Sequence, residues 1–300
     1  MLIFCLIEVI YNIISVKICR DGSGCKMNKK LSALTGVAVL AFSLTACAPQ
    51  QEKEVSAEKK EPVQNLADQQ IMADAWYQTS GEMKALYYQG YNTGKLRLDA
   101  ALAKSTDKKP AIILDLDETV LDNSPFQASA IKTGKGFPYK WDEWVQAAKA
   151  KAVPGAVEFL TYADQKGVDI YYISGRTTSQ LEATIKNLKN LHIPQATKDH
   201  VLLTGPKDEG KETRRQKVAT NHNVVLLFGD NLSDFIGFDK KSITDRNKLV
   251  EEQKETFGQK LIVFPNPMYG DWEGAIYNYD YSISDKQKDK LRREQLQYFN

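Results

Sequence analysis

The stretch Pro110-Ala-Ile-Ile-Leu-Asp115-Leu-Asp117-Glu-Thr119 decides how the rest of the chain is read. Ala111–Leu116 is a short apolar run interrupted by one aspartate, too short for a buried helix and suited to a strand covered on both faces. Similar runs recur at Asp169–Ser174, His200–Thr204, Asn223–Phe228 and Lys260–Phe264. The stretches Pro154–Lys166, Thr178–Leu191 and Lys211–Asn221 suit helices, and Pro154-Gly155 sits where a helix would begin. Strands alternating with helices predict an α/β fold with a parallel sheet flanked by helices. Ligands of such sheets gather at the carboxyl ends of the strands, so the residues just past each run carry the functional reading.

Upstream, Leu66–Lys104 repeats apolar residues at helical spacing (Ile71, Ala75, Trp76, Met83, Leu86, Tyr87), and Ser80-Gly81 predicts a break into two helices. Further back, Met27-Asn-Lys-Lys opens a basic segment, Leu34–Leu44 is apolar, and Leu44-Thr-Ala-Cys47 ends in small residues. Basic, apolar and small-residue parts in that order describe an export signal over residues 27–46. The cysteine after Leu-Thr-Ala resembles the bacterial lipobox, which implies a lipid on Cys47 and an anchor at the extracytoplasmic face of the cell membrane. Residues 47–64 then read as a flexible tether and 65–300 as the folded domain. Residues 1–26 read as an over-extended start or an extra segment. The four cysteines are Cys5, Cys19, Cys25 and Cys47, all at or before the lipobox. The domain therefore has no disulfide framework, thiolate metal cluster or cysteine nucleophile.

The net charge is +2, with acidic and basic residues interleaved, which gives no reason to expect a nucleic-acid polymer as partner. The strand ends are more informative. They offer Asp115 and Asp117 after the first run, Ser174-Gly-Arg176 after the second, Lys207 and Lys211 after the third, and Asp230 and Asp234 after the fourth. Clustered carboxylates repel, and a divalent cation relieves them. Hard oxygen donors without a histidine or cysteine cluster point to magnesium. A lysine beside them suits a phosphate group. One Asp-x-Asp alone reads better as a solvated turn or a helix cap. The second acidic segment, Gly229-Asp-Asn-x-x-Asp234, turns the reading toward phosphoryl transfer. His192, His200 and His222 lack a metal-ligand spacing and read as structural.

Asp115-Leu-Asp-Glu-Thr119 resembles the first motif of the haloacid dehalogenase superfamily. Ile113–Asn123, paired with Val225-Leu-Leu-Phe-Gly-Asp-Asn-Leu-Ser-Asp-Phe235, resembles the signature of class C bacterial acid phosphatases, the four-aspartate phosphohydrolases. The likeness runs from about Leu66 to the C-terminus, through Ala152-Val-Pro-Gly-Ala and Pro265-Asn-Pro-Met-Tyr-Gly-Asp-Trp-Glu-Gly274. It implies a Rossmann-like sheet with a small cap inserted after the first core strand, over about residues 123–152. It also implies the following roles. Asp115 is the nucleophile and a magnesium ligand. Asp117 is the general acid and base, its carbonyl a further ligand. Asp230 binds the metal, and Asp234 does so through water or orients its neighbours. Ser174 and Lys211 bind phosphate, Lys211 being a better match than Lys207. Phe126 and Gly175 stand where many members carry Tyr and Asn, departures that bear on substrate preference.

The expected substrate is a small phosphomonoester, with nucleoside 5′-monophosphates favoured by aromatics in the cap region. The resemblance implies base stacking on Trp141 and Tyr269. Packing of a small satellite core is the alternative for both, and the better reading for Trp144 and Trp272. A phosphotransferase would use the same residues with another acceptor, and a binding or adhesion lipoprotein would use the fold alone.

Overall fold

The computed structural model describes residues 65–207 and 210–299. Cys47 and the expected signal and tether lie outside the described residues. A 3-10 turn, Leu66–Gln70, leads into helices α1 (Ile71–Thr79) and α2 (Gly81–Leu102). The break between them falls at Ser80, whose Oγ accepts the Met83 N–H at 3.1 Å and so caps α2. Among the described residues no helix is long and apolar enough to cross a membrane.

The sheet follows the expected plan. Strands β1 (Lys109–Leu114), β4 (Asp169–Thr177), β5 (Val201–Thr204), β6 (His222–Gly229) and β7 (Leu261–Val263) are all parallel, in the order β5-β4-β1-β6-β7. Helices α5 (Ala156–Gln165), α6 (Leu181–Asn190), α7 (Lys211–Asn221) and α8 (Ile243–Glu252) alternate with them, and α9 (Asp271–Ile276) and α10 (Asp285–Glu294) close the chain. Alternation along β1 sends Ile112 and Leu114 into one core with Leu98 and Leu160, and Ala111 and Ile113 into another with Val218 and Phe238. Both faces are thus covered, which is why the strand reads as continuously apolar.

Helix α2 lies close against the sheet because Gly94 faces it. A Cβ on Gly94 would stand 2.7 Å from the Phe228 ring. The same stripe presents Tyr87, Tyr91 and Leu98, all buried, to the core.

The insertion after β1 has more regular structure than its sequence shows. Short strands β2 (Leu121–Asp122) and β3 (Lys151–Ala152) pair antiparallel and pinch its base, with Leu121 opposite Ala152. Between them lie α3 (Ser124–Thr133) and α4 (Trp141–Ala147). Helix α1 rests on α3, and just ahead of α1 Gln70 Nε2 donates to Gln127 Oε1 at 3.1 Å.

Candidate active site

Strands β1 and β6 end side by side, with Leu114 opposite Phe228. The Asp115 N–H continues the ladder by donating to the Phe228 carbonyl at 3.0 Å. Asp115 and Asp230 are therefore fixed by backbone pairing before any side-chain contact is made. A 3-10 turn, Leu232–Asp234, folds Asp234 back beside them. The Asn231 N–H donates to Asp234 Oδ2 at 3.0 Å and holds the turn. Gly229 leaves the needed space, since a Cβ there would meet Asp234 Oδ2 at 2.5 Å.

Asp115, Asp230 and Asp234 are all buried, and one oxygen of each lies within 4.8 Å of the others. Lys211, on the first turn of α7, reaches Asp115 Oδ1 and Asp234 Oδ1, both at 2.6 Å. Burial alone would lower the Lys211 pKa, but Asp115 and then Asp234 outweigh it and keep the amine charged. Asp115 is pushed well above the usual carboxylate range, by burial first; Lys211 opposes this, and Asp234, Asp230 and Asp117 add to it. Asp230 is pushed up to about 7, by burial and then by Asp234. Three carboxylates against one ammonium leave two negative charges when all are ionised. That deficit and the all-oxygen donor set fit a divalent cation. Asp230 is held for this task by Thr119 Oγ1 at 3.1 Å and by Asn266 Nδ2 at 2.8 Å.

Asp117 points elsewhere. Its Oδ1 accepts from Arg176 Nη2 at 2.7 Å and from Asn123 Nδ2 at 2.8 Å, and its Oδ2 accepts from Ser174 Oγ at 3.2 Å. The two aspartates of the first motif thus part company: Asp115 joins the cation cluster and Asp117 joins Ser174 on the β4 side. The chain turns sharply just past Asp117, where Glu118 takes the left-handed region at φ 57°, a conformation costly to a residue with a Cβ. Its backbone is pinned by the Glu118 N–H to the Leu121 carbonyl at 2.8 Å and by Tyr87, whose hydroxyl donates to the Glu118 carbonyl. Tyr91 Oη donates to the next carbonyl, Thr119, at 2.6 Å. Helix α2 therefore braces the first-motif loop.

The Glu118 side chain is buried, which pushes its carboxyl well up. It accepts the Asn123 N–H at 2.7 Å and the Tyr269 hydroxyl.

The structure brings Asp115, Asp230, Asp234 and Lys211 into one cluster and sets Asp117 and Ser174 beside it. Lys211, not Lys207, is the lysine on Asp115. Trp141 is half-buried in the cap, edge-on to Phe126 with ring centroids 5.0 Å apart. It also lies against the Arg176 guanidinium, 5.6 Å from its ring centroid. Tyr269 is half-buried against the larger core with its hydroxyl on Glu118. Trp144 donates from Nε1 to Asn123 Oδ1 at 2.8 Å, and Trp272 from Nε1 to the Asn266 carbonyl at 3.2 Å. Sequence reading placed Arg176 at the rim without a role, and gave none to Asn123, Asn266, Tyr87 or Tyr91. The strand-end position of Ser174-Gly-Arg176 was the available signal for the first of these.

A parallel sheet whose adjacent strand ends gather carboxylates around one lysine defines a phosphoryl-transfer fold of the haloacid dehalogenase kind. The chain belongs to subfamily IIIB of that superfamily, the acid phosphatases, whose family model matches residues 33–272. It is similar to class C acid phosphatase from Bacillus anthracis, 65% identical over 79% of this chain and 100% of that one, with TM-scores of 0.77 and, for the structure with tungstate bound, 0.78. It is 31% identical over 143 residues to a class B acid phosphatase of Xenorhabdus bovienii, 43% of this chain and 59% of that protein. A stem 28 kDa glycoprotein of Glycine max matches at 29% over 141 residues, 43% of this chain and 54% of that one. The chain thus spans about half the length of these curated relatives.

Proposed function

We propose that the protein is a magnesium-dependent acid phosphatase that releases phosphate from phosphomonoesters through a phosphoaspartate on Asp115. The observation that carries this is the buried cluster of Asp115, Asp230 and Asp234 around Lys211, short of two positive charges. A magnesium ion held by these carboxylates supplies the charge that lets a phosphoryl group approach them.

Lys211 donates to the phosphoryl oxygens and spreads their charge, the main demand of this transfer. Asp115 attacks phosphorus as the ester bond breaks. Asp117 gives a proton to the departing oxygen and later takes one from the water that cleaves the acyl phosphate. Ser174, beside Asp117, orients the group through its hydroxyl. The Bacillus anthracis relative takes tungstate, an oxyanion, which accords with a phosphoryl site.

Nucleoside 5′-monophosphates are the favoured substrates, a reading supported by Trp141, which lies over the Arg176 that holds Asp117, and by Tyr269, which the family resemblance assigns to base stacking. The lipobox at Cys47 supports an enzyme exported and lipid-anchored at the cell membrane. The decisive experiment is Asp115→Asn assayed with saturating magnesium. Turnover should fall by roughly three orders of magnitude or more, as when a covalent nucleophile is removed. Near-wild-type turnover would reject the reading. Chelation should abolish phosphate release, and added magnesium should restore it.

A further inference from the structure

We infer that Arg176 is the positioning residue that fixes which oxygen of Asp117 handles the proton, an inference that rests on the proposed phosphatase reading. The Arg176 side chain is 1% exposed. Its Nε and Nη2 both reach Asp117 Oδ1, at 3.0 and 2.7 Å, while Nη1 donates to Thr184 Oγ1 on α6 at 3.1 Å. Nη2 also lies 3.5 Å from Asn123 Oδ1, and Trp141 covers the guanidinium. The fork is held at both ends and on one face, so it is a fixed reference and not a mobile surface charge.

The two Asp117 oxygens are treated unequally. Oδ1 takes Arg176 and the Asn123 amide at 2.8 Å. Oδ2 has only the longer contacts, Ser174 Oγ at 3.2 Å and Arg176 Nε at 3.3 Å. An oxygen saturated by short donors is a poor place to load a proton, so the exchange falls to Oδ2. In the first step the proton moves from Oδ2 to the ester oxygen as the P–O bond breaks and the Asp115–phosphorus bond forms. In the second, a water proton moves to Oδ2 as the water oxygen bonds to phosphorus and the Asp115–phosphorus bond breaks. Arg176 touches neither phosphorus nor leaving group.

The test uses leaving groups that need the proton to different degrees. Arg176→Gln, Arg176→Lys and Thr184→Val are compared with wild type on an alkyl phosphate, phenyl phosphate and 2,4-dinitrophenyl phosphate, with kcat read at saturating substrate so that stacking of the aryl rings on the cap does not enter the comparison. Arg176→Gln should lose about 100-fold on the alkyl ester, the scale of a displaced general acid, and under about ten-fold on the dinitrophenyl ester, whose anion leaves unaided. Arg176→Lys should lie between. Thr184→Val keeps charge and volume and should shift selectivity the same way by a few-fold, which covers the case in which Arg176→Gln does not fold. Equal losses on all esters, or none, would overturn the inference. If wild type cleaves the series and Asp115→Asn does not, that failure leaves the phosphatase reading standing. If wild type cleaves none, the reading itself has failed.

Discussion

Asp115, Asp230 and Lys211 stand on two adjacent strand ends and the first turn of a helix behind them, whereas Asn123, Trp141 and Trp144 stand on the segment inserted after β1. The first group is placed by backbone: the β1–β6 ladder runs to Asp115 itself, and a short turn returns Asp234 to Asp230. The second is placed by side chains, with Trp144 on Asn123, Asn123 on Asp117, and Trp141 on Phe126 and Arg176. One wall is therefore rigid and fit for chemistry common to all phosphomonoesters. The other can change its aromatic residues without disturbing the sheet, which is where substrate preference can vary.

Lys211→Met tests the rigid wall with the largest expected effect. It removes the cation that, among the described residues, contacts both Asp115 and Asp234, while keeping the length of the side chain. Turnover with saturating magnesium should fall about 100- to 1,000-fold, the loss typical when one preorganised donor to the transition state is removed. Steady-state assays on phenyl phosphate would show it. A loss under ten-fold would mean that the strand-end wall carries less of the transition-state charge than its geometry implies.

The same contrast explains what was legible in the sequence. Strand runs and helices are local patterns, and α7 spans Lys211–Asn221 as the pattern predicts. The acidic cluster was readable because a parallel sheet sends strand ends to one rim. Arg176 and Asp117 are 59 residues apart, and Tyr91 meets Thr119 across 28. No local periodicity encodes such contacts. The insertion read as lacking strands because β2 and β3 contribute two residues each. Stacking and packing both stood open for Tyr269 in the sequence; its phenol donates to Glu118, a partner that becomes visible only once the first-motif turn is folded.

Burial of carboxylates differs between the two walls as well. Asp115 and Asp234 are met by Lys211, but Asp74, in α1 against the cap-side helix α3, is buried with no hydrogen-bond partner on either oxygen. Desolvation raises its pKa from 3.8 to about 6. Between those values the unfolded carboxyl is ionised while the folded one keeps its proton, so the unfolded state binds fewer protons. Stability from this group therefore falls as pH rises from about 4 to 6, and the cost persists above 6. Its upper bound is roughly 3 kcal/mol at about 1.4 kcal/mol per unit. Asp74→Asn should melt higher than wild type at pH 7 and lose that advantage by about pH 4. A gain that is flat with pH would show that the charge is not the cause.

Gly94→Ala probes the brace beneath the rigid wall. A methyl there would press on the Phe228 ring at 2.7 Å, and Phe228 precedes the Gly229-Asp230 strand end. Overpacking should cost about 1–3 kcal/mol, partly offset by the roughly 1 kcal/mol that alanine gains over glycine in a helix. Chemical denaturation would measure the net loss. A stability gain would show that α2 stands off the sheet more than the contact implies.

Trp144→Phe carries the smallest expected effect and bears most directly on the side-chain-built wall. Phenylalanine keeps an aromatic ring against the larger core but removes the Nε1–H that reaches Asn123 Oδ1. The direct loss is one hydrogen bond, about 1 kcal/mol. Asn123 would keep only the long Arg176 contact on Oδ1, so its amide would be freer to leave Asp117. Turnover of alkyl phosphates should fall a few-fold, with the dinitrophenyl ester and the magnesium requirement unchanged, because Asp115, Asp230 and Asp234 do not contact this chain of bonds. A matching loss on both esters would mean that the cap and the strand ends move together, and that the division between the two walls is only one of sequence position.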